Sequence, residues 1–105
     1  PMYLARFSYD IAPTDRPRAL ELIRREVDAA RGRKLQARLL VPLTREHGGA
    51  ALQFEVELAN LEQLEDFRHR GVGSSKETNR WMSAFSKILR SPPAVEILRV
   101  DGGAG

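Results

Sequence analysis

A histidine set between two arginines and followed by a glycine loop is the first place where this sequence could do chemistry: Arg68-His69-Arg70, then Gly71-Val72-Gly73. A neutral imidazole can act as general acid or base near pH 7. His69 is therefore read as a catalytic base beside a cavity, with Arg6 and Tyr3 of the first strand orienting an oxyanion. Trp81, Phe85 and Phe7 supply an aromatic wall for a bound molecule. Arg80 joins Arg68, Arg70 and Lys76 around the loop from Gly71 to Ser75, where cations and free amides at a helix start can hold a carboxylate or phosphate. Each feature also has a plainer reading. His69 fits a solvated helix end, the aromatic residues fit a core, and the loop fits an ordinary connection. His47, at a hairpin tip, reads as surface.

Composition removes several kinds of chemistry. The 105 residues include no cysteine, which excludes disulfides, thiolate metal sites, iron-sulfur clusters and cysteine nucleophiles. No metal and no cofactor enters the reading. Seventeen basic against fourteen acidic residues leave a formal charge of +3, scattered among glutamates at helical spacings as in Glu21, Arg24, Arg25 and Glu26. Such a face is solvated rather than a nucleic-acid footprint. No stretch approaches the ~20 apolar residues of a membrane span, and the first residues lack the pattern of a secretory signal. A cytoplasmic protein with no membrane partner is expected.

The elements that must position these residues follow from periodicity. Tyr3, Phe7 and Tyr9 alternate with Leu4, Arg6 and Ser8 in a first strand. Thr14 or Asp15 caps a helix whose stripe is Leu20, Ile23, Val27 and Ala30, supported by Leu22, and which ends near Gly32. Leu35 to Leu43 alternates as a second strand, in which Pro42 requires a sheet edge or a bulge. A hairpin through Arg45 to Gly49 leads to the cleanest alternation, Leu52, Phe54, Val56 and Leu58 against Gln53, Glu55 and Glu57. Asn60 with Gln63 forms a capping box before a short helix with Leu61, Leu64 and Phe67, stopping at Gly71. Ser74 with Glu77 starts another, whose Trp81, Met82, Phe85, Ile88 and Leu89 share a face. Ser91-Pro92-Pro93 ends it, and Ala94 to Val100 is the last strand.

This order, β-α-β-β-α-β, is α+β and predicts a ferredoxin-like four-stranded antiparallel sheet with helices on one face. One domain spans residues 1–100, with a flexible tail at 101–105. Strands one and three lie centrally and two and four at the edges. Arg6, Arg38, Glu55 and Glu57 fall on the face opposite the apolar set, where a cross-strand ion-pair ladder is favoured over ligand contacts. An edge strand bearing Leu39, Leu40, Val41 and Leu43 invites a partner, so a homodimer is expected.

The element order, the broken second helical region with Trp81, and the closing run from Ser91 through Ala94-Val95-Glu96-Ile97-Leu98 to Val100 resemble the dimeric α/β barrel superfamily. That resemblance covers nearly the whole chain and is one of layout. It implies two sheets packed face to face, in a family that includes cofactor-independent quinone-forming monooxygenases, polyketide cyclases and haem-degrading enzymes. Where plant-type cyclases carry His-Pro-x-His, the run here is His69-Arg70-Gly71-Val72. Where haem-degrading members place a histidine after the tryptophan, none follows Trp81. The resemblance thus implies a protein that binds a small aromatic or polyketide-like molecule, as a cofactor-independent monooxygenase or cyclase.

Two other classes stay open. Pro1-Met2-Tyr3-Leu4 resembles the start of tautomerases, which use an N-terminal proline amine as base. A non-catalytic small-molecule-binding or assembly module is the other. An RNA-recognition domain is disfavoured, since Gln53, Glu55 and Glu57 stand where base-stacking aromatics belong.

Overall fold

The computed structural model describes residues 1–44, 49–71 and 75–101. Strand β1 (Tyr3–Tyr9) runs through a 3₁₀ turn (Pro13–Asp15) into helix α1 (Arg16–Gly32) and strands β2 (Ala37–Leu40) and β3 (Leu52–Leu58). Helices α2 (Leu61–Arg70) and α3 (Ser75–Ser86) then lead to strand β4 (Ala94–Arg99). The sheet order is β2-β3-β1-β4, with every neighbouring pair antiparallel. This is the expected ferredoxin-like sheet, with β1 and β3 at its centre.

Alternation decides what each strand buries, because successive side chains point to opposite faces. Leu52, Phe54, Val56 and Leu58 of β3 are buried together with Ala5 and Tyr9 of β1. Against them pack Ala19, Leu22, Ile23, Val27 and Ala30 of α1. Leu22 is fully within that core, while Leu20 reaches it only from the margin.

Helices α1 and α2 begin and end where the sequence puts them, with local differences in how their ends are closed. Asp15 occupies the α1 N-cap without a side-chain capping bond, and proline in the first turn takes the place where a donor would go unused. At the other end Gly32 is still helical. The left-handed residue is Lys34, at φ 63°. Its amide donates to the Arg31 carbonyl and that of Leu35 to Ala30, a Schellman closure placed two residues later than glycine suggested. At α2 the capping bond from the Gln63 amide to Asn60 Oδ1 forms as expected, at 2.9 Å. The Gln63 side chain accepts from the Ala59 amide instead of that of Asn60. Leu61 is exposed, leaving Leu64 and Phe67 as the buried face of α2.

Strand β2 is shorter than its alternation predicted. It stops at Leu40, and Val41 and Leu43 beyond it are exposed, Leu43 at 95%. Pro42 has no amide to offer a ladder, so the pairing ends before it reaches the proline. Helix α3 likewise ends at Ser86. Ile88 and Leu89 follow it in a turn, where Leu89 bridges to Ile11. The hairpin tip with His47, the cap expected at Ser74 and the tail beyond Asp101 lie outside the described residues. Among the described residues, no helix is long and apolar enough to cross a membrane.

Candidate ligand cavity

The helices do not cover the whole sheet. Val95 and Ile97 of β4 point to the helix side yet are 53% and 45% exposed. Between them and the helices lies a cavity of about 560 Å³, within the ~300–1,000 Å³ range of small-molecule sites. Its floor is Phe7 and Tyr9 of β1, Phe54 of β3 and the two β4 side chains. Helix α2 contributes Phe67 and His69, and helix α3 contributes Thr78, Trp81, Met82 and Phe85.

Aromatic rings form a connected wall. Trp81 and Phe85, one turn apart on α3, stack with centroids 4.7 Å apart and 12° between planes. Tyr9 meets Phe85 edge-on at 4.7 Å, and Phe7 bridges Phe54 and Phe67 at 5.8 and 5.9 Å. The indole is fixed by a second contact. Trp81 Nε1 donates to the Leu22 carbonyl at 2.6 Å, which pins α3 against α1 and sets the ring plane. Gly71 closes the site between α2 and α3 with φ 66° and ψ −147°, a region that only glycine adopts without strain. A β-carbon there would also lie 2.9 Å from Thr78 Oγ1, which donates to the Arg70 carbonyl.

Polar groups in this apolar setting are few. His69 lines the cavity from the last turn of α2 but is exposed, so it stands at the rim. Glu26 enters from α1 and is half-buried. Burial, and secondarily the charge of Glu77, push its carboxyl up to about 7. Burial and the Glu26 charge together push the Tyr9 phenol up as well, keeping it neutral. The folded chain thus holds the Glu26 proton more tightly than the unfolded chain, whose ordinary value is 4.5. Stability falls as pH rises from that value through about 7.

The expected site residues therefore separate into two groups. Trp81, Phe85, Phe7 and His69 meet at the cavity. Arg6 does not, because it neighbours Phe7 on the strand and must project from the other face. Its Nε donates to Glu55 Oε2 at 2.8 Å, while Arg38 donates to Oε1 of the same carboxylate through both Nε and Nη2. Tyr3 packs at the core margin, at the opposite end of β1 from Tyr9, and does not line the cavity. Arg80 is exposed and outside the lining. Pro1 is likewise exposed and absent from it. Of the other loop cations, Arg68 pairs with Glu65 and Arg70 with Asp66, which Arg33 also engages. Glu26 was missed. Its signal was present, since it lies one turn after Leu22 and one turn before Ala30, an acid on the apolar stripe of α1.

On the sheet face away from the helices, register brings Arg38, Glu55 and Arg6 into one row across three strands. Glu55 is 1% exposed. Burial opposes its ionisation, but hydrogen bonds and charge from Arg6 and Arg38 outweigh it and hold the carboxyl below its usual range. Gln53 Nε2 donates to Ser8 Oγ in the next row. The ladder expected from the sequence is real, with Glu55 rather than Glu57 as its anion.

No protein-family model matches the chain, and no characterised protein matches it in sequence. Solved structures do match in shape. The Mycobacterium tuberculosis protein Rv0793 superposes with a TM-score of 0.75 at 14% identity, over 100% of both chains. A structure described as an antibiotic biosynthesis monooxygenase gives 0.67 at 14% identity, over 95% of this chain and 98% of that one. A NIPSNAP family protein from Agrobacterium tumefaciens gives 0.64 at 19% identity, over 99% and 98%. At such identities the likeness concerns the fold. The chain has a ferredoxin-like fold, shared along nearly its whole length with these structures.

Proposed function

We propose that the cavity binds a small aromatic or polyketide-like molecule, and that the protein acts on it as a cofactor-independent monooxygenase. The observation that carries this reading is the wall of stacked and edge-on rings around Trp81, Phe85 and Tyr9 in a cavity of ligand size. Flat rings gain both area burial and favourable ring geometry against such a wall. The monooxygenase name carried by a structural neighbour supports the choice of reaction. Dioxygen is the oxidant. An activated methylene or a phenol loses a proton, the resulting anion reduces dioxygen, one oxygen atom enters the ring as a carbonyl, and the other leaves as water. Two lining groups can serve the proton step: His69 at the rim and Glu26 within.

Anthrone in air tests the reading. Expected is anthraquinone with one dioxygen consumed per quinone, undiminished by a metal chelator, and slower by ~10-fold or more in Trp81→Ala, since loss of a positioning wall costs orientation. No oxidation above the uncatalysed rate, with no calorimetric binding of anthrone or anthraquinone, would overturn it. A cyclase acting on a polyketide-like chain uses the same wall and is the outcome if binding occurs without dioxygen uptake.

A cytoplasmic homodimer belongs to this reading. The short edge strand β2, followed by exposed Val41 and Leu43, offers unpaired backbone and apolar surface to a second copy. Light scattering at micromolar concentration is expected to give twice the chain mass, and a monomer would count against it.

A further inference from the structure

We infer that Glu26 is the proton acceptor of the cavity and that the bound molecule presents it with an acidic hydroxyl, as a phenol or enol does. This deepens the aromatic-ligand reading above and rests on it. Placement is the first argument. The carbonyl of Leu22 receives the Trp81 indole N–H, and Glu26 follows Leu22 by one turn of α1, with its side chain leaning back toward that turn. The carboxyl therefore emerges beside the aromatic wall, where a ring stacked on Trp81 would bring its substituents.

Lack of competition is the second argument. Among the described residues Glu26 makes no hydrogen bond or ion pair, whereas the acids Glu21, Glu55, Glu65 and Asp66 are each held by arginine. The groups facing it are Tyr9 from β1 and Glu77 from α3, neither of which carries positive charge. From α2 the same cavity receives His69 with Arg68 and Arg70, and both arginines already have carboxylate partners. A half-buried carboxylate without a cation is strongly basic for its kind and lacks a donor. A ligand hydroxyl supplies one. In the transfer the ligand O–H bond breaks, the proton joins a Glu26 oxygen, and the electron pair stays on the ligand as a phenolate or enolate. Tyr9, kept neutral, can stabilise that oxygen by remaining protonated.

Paired ligands test this: 2-naphthol and its methyl ether, titrated calorimetrically into the full chain across pH. For the wild type, naphthol affinity is expected to rise by about tenfold as pH increases through about 7, since an ionised acceptor strengthens the hydrogen bond. The methyl ether gains nothing. Glu26→Gln should bind both ligands with no rise near that pH, while Glu62→Gln, at an exposed acid of α2 outside the cavity lining, keeps the naphthol profile. A naphthol rise that survives Glu26→Gln overturns the assignment to Glu26. Equal, pH-independent binding of naphthol and ether by the wild type also overturns it, while leaving the cavity as an aromatic site. Failure of both ligands to bind defeats the aromatic-ligand reading itself. Folding of Glu26→Gln is checked by its melting temperature, which should exceed that of the wild type above pH ~7, where the wild-type carboxylate is buried charged.

Discussion

Glu55→Ala is expected to destabilise the fold by about 2 to 3 kcal/mol, because it leaves two neighbouring guanidinium groups facing each other without their shared anion. The estimate sits below the full cost of an orphaned buried charge for a structural reason. Only the carboxylate is deeply buried; the Arg6 and Arg38 side chains are 33% and 60% exposed and can turn to water. Glu55→Gln keeps an acceptor and should cost less, about 1 to 2 kcal/mol. The pH dependence separates charge from packing. A carboxyl held below its ordinary value of 4.5 contributes stability that is complete above that value and lost as pH falls through the folded one. Urea unfolding of the wild type should therefore weaken in acid more steeply than that of Glu55→Gln. Parallel acid profiles for the two proteins would show that the ion pairs contribute nothing.

Phe85→Ala is expected to cost about 3 to 5 kcal/mol, the range for truncating a buried aromatic side chain. Phe85 is 1% exposed and belongs to both the core and the cavity wall. Its loss removes the stack on Trp81 and the edge contact with Tyr9 at once, and each aromatic pair is worth ~1 kcal/mol beyond burial. Phe85→Leu keeps most of the volume and should cost only about 1 to 2 kcal/mol, while still weakening the binding of a flat ligand. Denaturant midpoints measured at constant m-value check the series. If Phe85→Ala lost less than about 1 kcal/mol, the wall would be a soft lining and not part of the packed core.

The two substitutions mark opposite sides of one sheet, and the sequence bore on the two sides unequally. Alternation along β3 was enough to put Phe54 and Val56 on one face and Glu55 on the other, since a strand has a period of two. The same rule put Arg6 with Glu55. Register across strands then turned a suspected ladder into a specific row, Arg38, Glu55, Arg6. That Glu55 and not Glu57 stands in the row with both arginines depends on that register, and no single strand encodes it.

Some misreadings had a common origin. Arg6 and Tyr3 were grouped with His69 because they carry useful chemistry, but strand geometry sends Arg6 away from the cavity and the length of β1 sends Tyr3 beyond it. Glu26 was read with its neighbours as solvated charge, although its spacing from Leu22 and Ala30 put it on the buried stripe. Gly32 does end α1 as read; only the left-handed residue that closes it, Lys34, was not foreseen, and there the carbonyls of Ala30 and Arg31 find their donors.

Periodicity, punctuation and capping residues by themselves determined the element order, the apolar face of α1 and the two-sided character of the sheet. These are local properties, set by backbone geometry and by which side chains avoid water. Only the tertiary structure decided that the helices leave β4 partly uncovered, that the gap is walled by Trp81, Phe85 and Tyr9, and that Glu26 reaches it. Those outcomes depend on how helices seat against a twisted sheet, where contacts between residues far apart in sequence compete for the same space.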